Sequence, residues 1–179
     1  MELKGKKIAI LVDNLYQEME VWYPYYRFEE AGAEVVVVAE KAGERYQSKT
    51  GYPVESRISY EQANPADFDG VVLPGGFAPD HIRRHKAALD FVRAIDRDGK
   101  LVAAICHGPW IAISAGIVKG RRATCFFAIK DDLVNAGARY EDAEVVVDGN
   151  LVTSRKPGDL PAFMRASLEV AAKVPALAR

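Results

Sequence analysis

Cys106 and His107 stand side by side between an apolar run, Leu101-Val102-Ala103-Ala104-Ile105, and Gly108-Pro109. A thiol is a nucleophile as its thiolate, and an adjoining imidazole can take or return the proton. The run before Cys106 is small and β-branched, with no polar alternation, as a strand buried on both faces requires. Pro109 suits the first turn of a helix, where its missing N–H is not needed. Ile111, Ser114 and Ala115 continue one side of that helix, and Gly116 stops it. A cysteine at a strand-to-helix corner is held clear of the sheet, at the positive end of a helix. That position favours the thiolate and lowers the thiol pKa. The same logic places serine at the Gly-x-Ser-x-Gly elbow of α/β serine hydrolases. Gly108 is read as letting a substrate approach the backbone closely. The competing reading makes Cys106 a small buried hydrophobe, as free cysteines commonly are.

Two further stretches could serve such a thiol. Pro74-Gly75-Gly76 follows the apolar Gly70 to Leu73, and paired glycines after a strand expose backbone N–H groups that bind phosphate or stabilise an oxyanion. The oxyanion reading ranks higher, because neither a Gly-x-Gly-x-x-Gly spacing nor a Walker lysine is present. The second is Glu20, a carboxylate close behind the first strand. Its plainer role is that of a first-turn helix acid favoured by the macrodipole.

The elements that must position these residues alternate along the chain. Lys6 to Val12 predicts a buried strand, and Gln17 to Ala31 a helix with Met19, Trp22, Tyr25 and Tyr26 at helical spacing. Pro24 should bend this helix or mark its start. Ala33 to Ala39 predicts a strand, Arg45 to Ile58 a small edge hairpin, and Glu61 to Ala63 a helical turn. Gly70 to Leu73 is a strand and Ala88 to Asp98 an amphipathic helix. Arg121 to Phe126 reads as a short strand, and Ile129 to Ala136 as a short helix. Val145 to Ser154 is a hairpin with Asp148-Gly149 at its turn. Asp159 should cap a last helix that buries Leu160, Phe163, Met164, Leu168 and Ala171. The alternation predicts an α/β fold with a mainly parallel sheet and helices on both faces. Sites in such sheets lie beyond the carboxyl ends of the strands. There the segments Asp13 to Glu20, Pro74 to Asp80 and Cys106-His107 bring a carboxylate, a glycine loop and a thiol to one rim.

With 179 residues, 49% of them apolar, the chain can bury a full core, and residues 1–179 are expected to form a single domain. A formal net charge of −1 points to neither nucleic acid nor an anionic membrane. No apolar run approaches the roughly 20 residues of a membrane span, and the run Ile8 to Val12 is too short for a signal segment. A cytoplasmic protein is expected. Its two cysteines, Cys106 and Cys125, are no disulfide framework and too few for a thiolate metal site. His81 and His85, spaced i, i+4, read as solvated neighbours of Arg83 and Arg84. Trp22, Tyr23, Tyr25 and Tyr26 read as core and subunit interface, not as a cofactor platform.

Motifs along the whole length carry a resemblance. Glu18-Met19-Glu20 with Tyr23-Pro24-Tyr25, Leu73-Pro74-Gly75-Gly76 with Ala78-Pro79-Asp80, and Ala104-Ile105-Cys106-His107-Gly108-Pro109 are three of them. Ile129-Lys130-Asp131-Asp132 and Ala143-Glu144-Val145-Val146-Val147-Asp148-Gly149-Asn150 are the others. Together they resemble the PfpI family, the intracellular-protease branch of the class I glutamine amidotransferase-like superfamily, which also holds the Parkinson-disease-associated protein deglycase. The resemblance implies a flavodoxin-like α/β/α sandwich and a cysteine hydrolase without cofactor or metal. In it Cys106 is the nucleophile, the Glu20 carboxyl bonds its sulfur, and the N–H groups of Gly76 and His107 form the oxyanion hole. His107 is the acid/base partner, oriented by a carboxylate of a neighbouring subunit that matches Asp80. The family commonly has glutamate at that position, and tyrosine where this chain has Phe126. Homodimers or hexamers are implied. The substrates implied are early adducts of glyoxal and methylglyoxal on proteins or nucleotides, with a peptide bond as the alternative. A redox-sensing stress protein or chaperone is the non-enzymatic alternative.

Overall fold

The computed structural model describes residues 2–175. The chain lays down strands β1 (Lys7–Leu11), β2 (Glu34–Ala39), β3 (Arg45–Gln47), β4 (Pro53–Glu55), β5 (Ile58–Ser59), β6 (Gly70–Leu73) and β7 (Leu101–Ile105). Four more follow: β8 (Arg122–Ala123), β9 (Arg139–Tyr140), β10 (Val145–Asp148) and β11 (Leu151–Ser154). Seven strands form the main sheet, in the order β10-β11-β7-β6-β1-β2-β5, all parallel except the edge strand β10. β6, β7 and β11 are buried along their whole length, whereas β10 alternates as an edge strand should.

The helices are α1 (Glu18–Glu30), α2 (Ala78–Ile82), α3 (Lys86–Arg97), α4 (Pro109–Ser114), α5 (Lys130–Asn135) and α6 (Leu160–Lys173). α1 packs on β1, β2 and α6, and α6 on β7 and β11; α3 packs on β6, β7 and α4, which in turn touches α2 and α5. The sheet thus lies between two helical layers, and the mainly parallel α/β architecture read from the alternation is the one observed.

Several local expectations are corrected. α1 does not begin at Pro24 but continues through it, because burial of Val21, Pro24 and Phe28 holds the helix where the ring removes one hydrogen bond. β3 and β4 form the expected hairpin, but as a separate two-stranded sheet; the edge of the main sheet is β5. Glu61 to Ala63 closes a single turn, Ala63 N–H donating to the Ser59 carbonyl at 3.1 Å, and a 3₁₀ segment, Pro65–Asp67, capped by the Asn64 side chain, follows it. Only Arg122–Ala123 of the expected strand pairs, with β9. The β10–β11 turn is Gly149-Asn150, one residue later than read, with Gly149 at φ 62°. Asp159 stands at the N-cap of α6, yet its carboxylate binds Arg155 instead of the helix. The five apolar residues assigned to the inner face of α6 are all buried.

Candidate active site

The strand order explains why distant segments meet. β7, β6 and β1 are adjacent, so their carboxyl ends deliver Cys106, Pro74-Gly75-Gly76 and the segment leading to Glu20 side by side. The segments are stitched together. Gln17 N–H donates to the Gly75 carbonyl (3.2 Å), Phe77 N–H to the Leu15 carbonyl (2.9 Å), and Cys106 N–H to the Ser154 carbonyl (3.1 Å).

Cys106 occupies the corner between β7 and α4 with φ 61°. It shares the left-handed region with only one other non-glycine among the described residues, Leu15 at φ 65° on the same rim. A strained backbone of this kind costs about 1–3 kcal/mol and persists only where its surroundings over-determine it. Here the whole of β7 is buried, and each fully buried aliphatic side chain contributes about 1.5–3 kcal/mol. His107 Nδ1 lies 3.3 Å from the Cys106 sulfur, and the N–H groups of Gly76 and His107 both favour its thiolate.

Glu20 is fully buried, not the solvated helix acid of the plainer reading. Gln17 caps α1 by accepting the Glu20 N–H at 3.1 Å, which turns the carboxyl inward. Its Oε2 accepts the Gly75 N–H at 2.7 Å, while Oε1 is buried without a hydrogen-bond partner among the described residues. Burial pushes its pKa up to about 7, against the Gly75 hydrogen bond, the neighbouring Cys106 thiol and the charge of Lys49.

The expected low thiol pKa is not what the geometry produces. Burial, and then the Glu20 charge, push Cys106 up to about 12, against the pull of the Gly76 and His107 N–H groups. α4 is only six residues long, too short for its N-terminus to outweigh the burial. His107 is held below its usual value by burial and by the Lys49 charge. The resting pair is therefore a thiol beside a neutral imidazole that is free to accept its proton.

The glycines have sharper roles than expected. A Cβ on Gly75 would lie 2.6 Å from Glu20 Oε2, 2.7 Å from Cys106 Cβ and 2.9 Å from the His107 nitrogen. Gly108 does not serve substrate approach: a Cβ there would meet the Leu73 carbonyl oxygen at 1.9 Å. It lets α4 start against the end of β6.

Around His107, the Phe126 ring lies at 5.1 Å and that of Trp110 at 5.2 Å; Trp110 in turn donates to Asp132 at 2.8 Å. Phe126 N–H donates to the Cys106 carbonyl at 2.9 Å, so the residue that replaces tyrosine is a wall of the site. Asp80, on α2, pairs with Arg84 four residues on and does not bond His107 of its own chain among the described residues. His81 lies 3.7 Å from Asp13, and His85 packs on Tyr60. Cys125 is buried, and burial pushes its thiol up to about 12. Lys49 gave no signal in the sequence, since it belongs to no motif and its placement depends on which loops dock together.

The fold and this rim define a parallel α/β protein with a cysteine at the turn from a central strand into a helix. The chain belongs to the DJ-1/PfpI family, whose profile matches residues 6–170. It is 46% identical over 159 residues to "Deglycase PfpI" of Pyrococcus furiosus, covering 89% of this chain and 95% of the relative. It is 42% identical over 168 residues to "Protein/nucleic acid deglycase 2" of Escherichia coli, covering 93% and 98%. Among solved structures, a two-domain protein of Anabaena variabilis containing DJ-1/ThiJ/PfpI-like and ferritin-like domains superposes with a TM-score of 0.91 at 42% identity. The match covers 97% of this chain and half of that one. No helix among the described residues is long and apolar enough to cross a membrane.

Proposed function

We propose that this protein is a cysteine hydrolase of stress protection that removes glyoxal and methylglyoxal adducts, with Cys106 as nucleophile. The observation that carries the reading is Cys106 on its strained corner, with His107 Nδ1 3.3 Å from its sulfur. The deglycase names of the relatives at 42–46% identity support the substrate class.

The residues suffice for a balanced sequence. The thiol proton passes to neutral His107, and sulfur bonds the carbinol carbon of an aminocarbinol as its C–N bond breaks. The amine leaves with the proton that His107 took. A proton then moves from the carbinol carbon to the neighbouring carbonyl carbon through an enediolate, whose oxygens the Gly76 and His107 N–H groups stabilise. The first carbon is thereby oxidised to a thioester while its neighbour is reduced to an alcohol, so no external oxidant enters. Water cleaves the thioester, freeing the thiol and, for methylglyoxal, lactate. Glu20, with its pKa raised to about 7, holds a proton beside the sulfur in its protonated form. Mass spectrometry of protein quenched during turnover should find the substrate carbon skeleton on the Cys106 peptide. Label on Cys125 alone would refute the assignment.

A further inference from the structure

One loop outside the three converging segments is built into the rim. Tyr16 bridges on one side to Gly76 and on the other to Ser48, and the Lys49 N–H donates to the Tyr16 carbonyl at 2.9 Å. The loop is rigid on its own account. Ser48 Oγ accepts the N–H groups of Thr50 (3.1 Å) and Tyr52 (3.0 Å), and Tyr16 Oη donates to the Tyr52 carbonyl at 2.7 Å. Ser48 is buried, while the next residue, Lys49, is exposed. Lys49 is therefore held on the rim by its backbone, and its charge acts on both Glu20 and His107, the groups that flank the sulfur. Glu18, the acid nearest the loop, accepts a hydrogen bond from the Thr50 hydroxyl, so its carboxylate is held by the loop's own side chain.

A lysine is a mobile point charge without the rigid fork of arginine, and the compact anionic group that a small carbonyl electrophile can offer it is a carboxylate. We propose that Lys49 is a specificity residue that recruits electrophiles carrying a carboxylate next to the carbon attacked by Cys106. This deepens the reading of Cys106 as a nucleophile towards carbonyl adducts by assigning the charge of the preferred substrates: those bearing a free carboxylate are favoured over neutral ones.

Iodoacetate and iodoacetamide alkylate a thiol through the same carbon and differ in charge, so their rate ratio at Cys106 isolates the effect without any turnover. The result is therefore independent of whether the protein releases lactate. Lys49→Gln should keep the fold, because the loop is held by the backbone of residue 49, and should leave the iodoacetamide rate within about twofold. An exposed charge close to the reacting carbon is worth up to about 1 kcal/mol, so the iodoacetate-to-iodoacetamide ratio should fall about fivefold. Lys49→Glu should lower it further, and added salt should shrink the wild-type preference. A ratio unchanged in both variants, or equal slowing of the two reagents, would overturn the proposal.

Discussion

At the scale of the residue, the site is governed by two buried acids, neither of which ionises as readily as in water. Glu20 and Cys106 are each pushed up by burial, so at neutral pH the pair carries at most one negative charge. Such an arrangement stabilises the folded state under acid conditions and costs stability as the pH rises. The Glu20 pKa is raised from 4.5 to about 7, so between these values the folded protein binds a proton that the unfolded chain releases. Its contribution is fully present below the lower value and is lost as the pH passes the upper one. The loss is on the order of 3 kcal/mol. Glu20→Gln keeps an acceptor for the Gly75 N–H and has no charge to bury. Its stability relative to wild type should therefore rise by that amount between about pH 5 and about pH 8 in urea denaturation. A gap that stays constant with pH would show that Glu20 titrates normally.

At the scale of the element, three adjacent parallel strands do the positioning, and the turns that leave them have almost no spare volume. Gly108→Ala would drive a methyl into the Leu73 carbonyl oxygen, at 1.9 Å in the unrelaxed backbone. The corner would have to move, at about 3 kcal/mol or more, and the melting temperature should drop accordingly; a variant that melts like wild type would refute the packing role. This scale also shows what was legible in the sequence. β6, β7 and the corner at Cys106 were readable, because a wholly buried strand is an unbroken apolar run and glycine or proline marks its end. α2 was missed, since five residues carry too little periodicity to register. The thiol pKa departs from the sequence expectation because a corner suggests a helix dipole, while burial by neighbours from β1 and β6 leaves no local trace. Lys49 was invisible for a similar reason: the Tyr16 bridges that seat its loop join residues that pair only after the sheet has formed.

At the scale of the molecule, the question is whether one chain makes a whole site. Met19, Tyr23 and Tyr26 on α1, with Tyr52 beside them, are exposed at 54%, 38%, 60% and 59%, and Trp22 stacks within the same patch. An apolar face of this size rimmed by charge fits a contact between subunits. We propose that Asp80 crosses to the His107 of a neighbouring subunit. To do so it must leave Arg84, and breaking an exposed ion pair costs only about 0–1 kcal/mol. Asp80→Ala and Cys106→Ala proteins, each weakly active or inactive alone, should regain part of the activity when their subunits are exchanged, because some sites then pair an intact thiol with an intact carboxylate. An inert mixture after verified exchange would remove Asp80 from the site. The central claim, that Cys106 turns over carbonyl adducts, is tested most directly by lactate release from methylglyoxal-treated protein. Wild type should release lactate in molar excess over enzyme, and Cys106→Ser, equally folded, should release none above background; equal release by the two would contradict the account.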